Sequence, residues 1–179
     1  MRDGWRTRGT AHVIGHDVEH DGPIMPREMI SARVTDPEKL IRRLFEEYDP
    51  KLLGRLKPGD FIVAGRNLGC GKPHTGGYIA MEAMGLRILC ESMPGTIVRA
   101  TIGLALPCMH KCEGILDFIK DGDQIEADYE SGEVINLTSG ERRMFSPMQE
   151  EARNMVARGG VKGILADWLE KHPEFAVSL

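Results

Sequence analysis

The amino-acid sequence predicts a single α/β domain, with parallel strands in its middle and antiparallel hairpins near its end. Three observations carry that reading. Short apolar runs alternate with helix-like stretches between residues 35 and 109, a β-meander pattern follows Asp121, and two helical segments close the chain. The length of 179 residues suits one domain spanning residues 1–179, and it is enough to bury a core without disulfides or metals.

Taken in order, residues 11–14 (Ala-His-Val-Ile) read as a strand, and roughly residues 1–10 as an extension before it. A loop runs through Pro23 and Pro26. Thr35-Asp-Pro-Glu38 is a helix start, with a capping residue and a proline at the first helical position. That helix is expected to continue through Tyr48, with Leu40, Ile41, Leu44 and Phe45 on one face. Lys57-Pro-Gly-Asp60 turns the chain into a buried strand, residues 61–64 (Phe-Ile-Val-Ala). A helix over residues 77–84 stops at Gly85, and Arg87-Ile-Leu-Cys90 is the next strand. Residues 96–104 form a second short helix and residues 106–109 another strand. After Asp121-Gly-Asp123, residues 124–129 alternate in polarity, Ser131-Gly132 turns, residues 133–137 return, and Ser139-Gly140 turns again. The closing helices cover about residues 147–158 and 161–171, broken by Gly159-Gly160. No internal repeat or low-complexity linker interrupts this order.

Composition narrows the function. A hydrophobic fraction of 41% and a charged fraction of 28% are ordinary for a globular chain, and a formal net charge of -4 argues against a nucleic-acid partner. No apolar run is long enough to span a bilayer, and Arg2, Arg6 and Arg8 are followed by no apolar leader segment, so the cytoplasm is the expected compartment and no membrane partner is expected.

The most informative stretch is Gly65-Arg-Asn-Leu-Gly-Cys-Gly-Lys-Pro-His-Thr-Gly-Gly77, a glycine-rich turn between a strand and a helix start. Such a turn can aim backbone N–H groups at an anionic ligand, and it carries Lys72 and His74. It is neither a P-loop nor a dinucleotide fingerprint. Gly71 and Gly76 have the P-loop spacing, but Gly77-Tyr78 follow in place of lysine and hydroxyl, and His74 stands where a third fingerprint glycine belongs. The alternative is a capping turn with no ligand. The cysteines Cys70, Cys90, Cys108 and Cys112 suit a reducing compartment, and Cys108-x₃-Cys112 lacks the second pair that a tetrahedral metal site needs. His12, His16 and His20 recur every four residues, but Gly15 and the strand at 11–14 argue against a helix that would align them as ligands.

Gly15-His-Asp-Val-Glu-His-Asp21, Ile24-Met-Pro26, Thr35-Asp-Pro-Glu-Lys-Leu40, Val63-Ala-Gly-Arg-Asn-Leu-Gly-Cys-Gly71, Leu106-Pro107, Asp121-Gly-Asp-Gln-Ile-Glu126 and Ala157-Arg-Gly-Gly-Val161 occur in this order. Together they resemble the small subunit of 3-isopropylmalate dehydratase, equivalent to the swivel domain of aconitase, over about residues 11–171. The resemblance implies a three-layer β/β/α swivelling domain and a half-enzyme. In that family a separate large subunit holds a [4Fe-4S] cluster on its own cysteines, and water is lost and re-added across a carbon–carbon bond of a 2-hydroxy di- or tricarboxylic acid. The small subunit closes over the cluster and supplies the base and the cations that hold a carboxylate. The resemblance therefore implies no cofactor or metal bound by this chain, an iron–sulfur large subunit as partner in a heterodimer or heterotetramer, and a small carboxylic acid as substrate.

The match also shows departures. The family loop continues Gly-Cys-Gly-Ser-Ser-Arg-Glu-His, whereas this chain reads Gly69-Cys-Gly-Lys-Pro-His-Thr-Gly76. Pro73 takes the place of the serine base and His74 that of the clamping arginine. Lys72 or His74 is the expected replacement base, with Cys70, Gly71, Arg33 and Arg99 at the substrate. If His74 is the base, Lys72 and Arg33 are expected to clamp the carboxylate. The other reading is a binding or assembly module that has lost catalysis.

Overall fold

The computed structural model describes residues 4–175. Seven strands form one mixed sheet: β1 (Arg6–Val13), β2 (Phe61–Ala64), β3 (Arg87–Cys90), β4 (Cys108–Met109), β5 (Gln124–Asp128), β6 (Glu133–Asn136) and β7 (Arg142–Met144), in the spatial order β4-β3-β2-β1-β5-β6-β7. The β1–β4 half is parallel and the β1-β5-β6-β7 half antiparallel, so β1 belongs to both. The expected parallel middle and antiparallel end are thus both present.

From Phe61 in β2, Ile88 in β3 and Cys108 in β4 onward the parallel strands are apolar on both faces, and their period-two alternation sorts side chains into two cores. Ile62, Ala64, Ile88, Cys90 and Cys108 face one cluster, with Leu40, Leu44, Met81 and Ile97 from the helical side. Phe61, Val63, Leu89 and Met109 face the other, which they share with Ile125, Ala127 and Val134 of the antiparallel half. The antiparallel half therefore curls over the parallel half, giving sheet, sheet and helices in three layers. The helices are α1 (Arg27–Ser31), α2 (Pro37–Ile41), α3 (Gly76–Ala83), α4 (Gly95–Gly103), α5 (Ile115–Phe118), α6 (Glu150–Ala157) and α7 (Gly160–Lys171), followed by a 3-10 turn at Pro173–Phe175. Among the described residues no helix is long and apolar enough to cross a membrane.

Several expectations need correction. β1 begins at Arg6, so residues 6–10, expected as an extension, pair with β5. The expected long helix through Tyr48 stops at Ile41. Asp36 caps its start by accepting from Glu38 N at 3.0 Å, but Phe45 adopts φ 59° and donates its N–H to Ile24 O, which no continuing helix allows. Leu40, Leu44 and Phe45 are buried as the apolar pattern requires, Leu40 from α2 itself and Leu44 and Phe45 from the turns that follow it. The strand expected at 106–109 is only Cys108–Met109, and the helix expected at 147–158 is Glu150–Ala157. α1, α5 and β7 carried no recognised pattern.

Candidate active site

The site is built where β1 and β2 run out side by side. Past β1 the chain stays beside the glycine-rich loop: Gly65 N donates to Gly15 O (2.7 Å), Asp17 N to Arg66 O (2.7 Å) and Gly69 N to Val18 O (2.8 Å). Asn67 is held from both sides. Its side-chain amide donates to Asp17 Oδ1 at 2.7 Å and its backbone N–H to Ser92 Oγ at 3.0 Å. The loop thus hangs from the β1 extension and from the residues between β3 and α4. Gly69 is required by geometry, because its φ is +77° and an added Cβ would lie 2.0 Å from the buried Tyr78 hydroxyl.

This pairing carries His20 and Asp21 to the far end of the loop, where His74 meets them. Asp21 Oδ1 lies 2.9 Å from His20 Nδ1, and His74 Nδ1 lies 2.8 and 2.9 Å from the two Asp21 oxygens. The Gly77 N–H, in the first turn of α3, points at His20 Nε2 at 3.0 Å. A backbone N–H can only donate, so Nε2 must be the acceptor and the neutral ring carries its proton on Nδ1, aimed at Asp21. Burial pushes the His20 pKa below its ordinary value against the pull of Asp21, in keeping with a neutral ring. Burial pushes the Asp21 carboxyl up, but the bonds from His20 and His74 outweigh it and hold the carboxylate ionised below its usual range.

His20, Asp21 and His74 offer ligand atoms within 4.8 Å of one another, close enough for a metal ion. The chemistry disfavours one. A neutral imidazole has a single lone pair, and that of His20 is committed to the Gly77 N–H, so Nδ1 has none to give. The cluster is a hydrogen-bonded relay. The cysteines do not assemble a centre either. Cys112 Sγ donates to Met109 O at 3.6 Å and burial pushes its thiol above the ordinary range, while Cys108 Sγ faces Met93 Sδ at 3.9 Å.

The other expected site residues lie around this relay. Lys72 and Gly71 are exposed at the loop tip, and their N–H groups find no partner among the described residues. Cys70 is half-buried, and burial followed by Glu19 and Asp17 raises its thiol pKa, so it offers a neutral S–H. Arg99 is exposed on α4, its guanidinium folded back toward Gly95, three residues beyond the Ser92 that anchors the loop. Arg33 is exposed with φ 51° just after α1. Among the described residues none of Arg33, Lys72 and Arg99 has a side-chain hydrogen bond or ion pair, so no polar bond joins Arg33 to the loop. One expectation is corrected: the Gly77 N–H at the start of α3 is not offered to a ligand, because His20 takes it. His12, His16 and His20 indeed part company. His12 pairs with Asp60 at 3.0 Å and His16 accepts from Arg66 N. Asp21 is no candidate in the sequence, and His20 is one only through the spacing of His12, His16 and His20, which the strand at 11–14 sets aside; the signal the two share is their place in the run from Gly15 to Asp21.

No family model matches the chain. It is 32% identical over 160 residues to the 3-isopropylmalate dehydratase small subunit of Moorella thermoacetica, covering 89% of this chain and 94% of that protein. The chain belongs to the 3-isopropylmalate dehydratase small-subunit family. Within that family it is 30% identical over 155 residues to the isopropylmalate/citramalate isomerase small subunit of Methanocaldococcus jannaschii, covering 86% of this chain and 90% of that one. The crystal structure of the 3-isopropylmalate dehydratase of that organism superposes with a TM-score of 0.83 at 27% identity, over 96% of this chain and 99% of the other. The curled sheet of this family member is the aconitase-type swivel domain.

Proposed function

We propose that this small subunit closes over a [4Fe-4S] cluster held by a separate large subunit and forms with it a hydro-lyase acting on a 2-hydroxy di- or tricarboxylic acid. The observation that carries this reading is the glycine-rich loop. It keeps the family's Gly65-Arg-Asn-Leu-Gly-Cys-Gly71 on a sheet of the family's fold, and it presents two ionisable side chains, Lys72 and His74, after it. The cluster, when bound by the partner, would supply the Lewis acid that draws off the hydroxyl.

The residues of this chain would do the rest. Removing a proton from a carbon beside a carboxylate needs a positioned base and cations over the developing charge. His74 and Lys72 are the available pair. Arg99 and Arg33, each without an ion-pair partner, offer guanidinium forks to the carboxylates. Cys70 and Gly71 line the approach with a neutral thiol and an open backbone. This chain would supply neither a metal nor a cluster ligand, since Cys90, Cys108 and Cys112 are buried in the core and Cys70 is a single half-buried thiol on the loop. The subunit would therefore be inactive without its partner, and its unpaired thiols accord with a cytoplasmic setting.

The test is an anaerobic assay of the chain co-expressed with its large subunit, following the absorbance of the unsaturated product over a panel of 2-hydroxy diacids that includes isopropylmalates and methylmalates. Turnover that requires both chains is expected. A cluster-loaded complex inert across the panel would favour a non-catalytic binding module, and failure to form a complex would overturn the half-enzyme.

A further inference from the structure

We propose that His74 Nε2 is the base, that Asp21 is its positioning residue, and that buried His20 in turn fixes Asp21 against the start of α3. The chemistry rests on the hydro-lyase reading above, whereas the relay itself rests on geometry alone. Asp21 has its two oxygens 2.8 and 2.9 Å from His74 Nδ1, so the neutral His74 ring carries its proton there and its lone pair on Nε2. The His74 side chain keeps 39% of its surface exposed against 19% for Asp21 and none for His20, so the relay runs from a buried anchor to an accessible lone pair. Each link is directional. Gly77 N–H sets the His20 tautomer, His20 Nδ1–H occupies one Asp21 oxygen, and Asp21 sets the His74 tautomer. Lys72 is a poorer base by the same criterion, because an exposed ammonium offers three donors and no lone pair, which suits a carboxylate clamp.

In the dehydration direction His74 Nε2 takes the proton from the carbon beside the carboxylate. The C–H electron pair becomes the second bond of the alkene, and the C–O bond breaks with its pair leaving on the hydroxyl oxygen. The Nδ1 proton stays in its bond to Asp21 throughout, and the imidazolium so formed lies against that carboxylate. Pro73, in the position of the family's serine, is then no defect. The base has moved one residue along the loop, and an acid one strand away supports it.

Two measurements on Asp21→Asn test this. Histidine nitrogen NMR of the free small subunit, folded at neutral pH, is expected to show His74 and His20 as Nδ1–H tautomers. In Asp21→Asn the amide oxygen stays on the Oδ1 side, where the His20 Nδ1–H holds it, and an N–H replaces Oδ2, so His74 Nδ1 loses one of its two acceptors and its proton is expected to move toward Nε2. In the assembled complex Asp21→Asn is expected to lower kcat at least ~100-fold with KM changed by less than about threefold, since the lost interaction acts in the transition state. His74→Ala, on the exposed loop, is expected to lose turnover and recover part of it with added imidazole. A wild-type His74 already protonated on Nε2, an Asp21→Asn complex with near-normal kcat, or a His74→Ala complex that remains active without imidazole would each overturn the proposal. If the wild-type complex has no turnover the hydro-lyase reading falls, and the tautomer spectra still decide whether Asp21 holds His74. If Asp21→Asn does not fold, the wild-type spectrum and imidazole rescue decide.

Discussion

An added Cβ at Gly77 would lie 2.3 Å from Ile24 Cγ2 and 3.3 Å from His20 Nε2. Glycine is therefore needed because the start of α3 must approach His20 closely enough for its N–H to reach the ring. Gly77→Ala is expected to push the two apart, costing about 1–3 kcal/mol of stability as overpacking does, and to release the His20 tautomer. Urea unfolding of the free subunit reads the first effect, and an unchanged midpoint would mean that the backbone yields. The neighbouring residue behaves oppositely. Tyr78 is fully buried and its hydroxyl has no partner among the described residues. A buried donor left unpaired costs about 1–3 kcal/mol, so Tyr78→Phe is expected to leave the subunit as stable or more so. A loss above about 1 kcal/mol in the same experiment would show that the hydroxyl is hydrogen-bonded after all.

The elements differ in how plainly the sequence announces them. β2 is wholly apolar and β3 is apolar after Arg87, both between turn residues, and α3, α4 and α7 start at glycine or proline-flanked positions near those expected, so local pattern suffices. α2 was overextended because Leu40, Leu44 and Phe45 have helical spacing, yet Phe45 is tied by its N–H to Ile24, a contact absent from local pattern. β7 (Arg142–Met144) gives no such signal, because Arg-Arg-Met on an exposed sheet edge is too short to show alternation. The same division runs through the site. The loop and its two ionisable residues were legible, whereas the Asp21–His74 contact spans 53 residues and exists only because β1 and β2 run out together. α7 shows the reverse case, in which an apolar spacing at Val161, Leu165 and Trp168 looks like core but stays exposed. Leu165→Asp is accordingly expected to shift the stability of the free subunit by less than about 0.5 kcal/mol. A larger loss in thermal unfolding would show that this face packs in solution.

At the scale of the whole molecule, the relay ties together three separate parts of the helical side: the β1 extension through His20 and Asp21, the loop through His74, and α3 through Gly77. Its protonation should therefore register in global stability. Burial lowers the pKa of His20 and, with Lys111 adding to it, that of His110. A histidine near 6.5 when unfolded and lower when folded binds its proton first in the unfolded chain, so stability is complete above that value and is lost as the pH falls toward the folded one. The carboxylates Asp21, Asp60, Asp121, Glu126 and Asp128 are all held below their ordinary values. Their contribution is present above the unfolded carboxyl range, near 4, and fades only below it. Two acid steps should result, histidine first and carboxylate second. Protonating His20 also sets an Nε2–H against the Gly77 N–H, two donors face to face, so the first step should loosen the start of α3. Thermal unfolding of the free subunit from pH 8 to pH 3 is expected to show both steps. In His20→Asn the slope of the first step should shrink to the share left by His110, whatever the variant loses in absolute stability. An unchanged slope between pH 7 and pH 5 in that variant would mean that His20 is not the group that titrates.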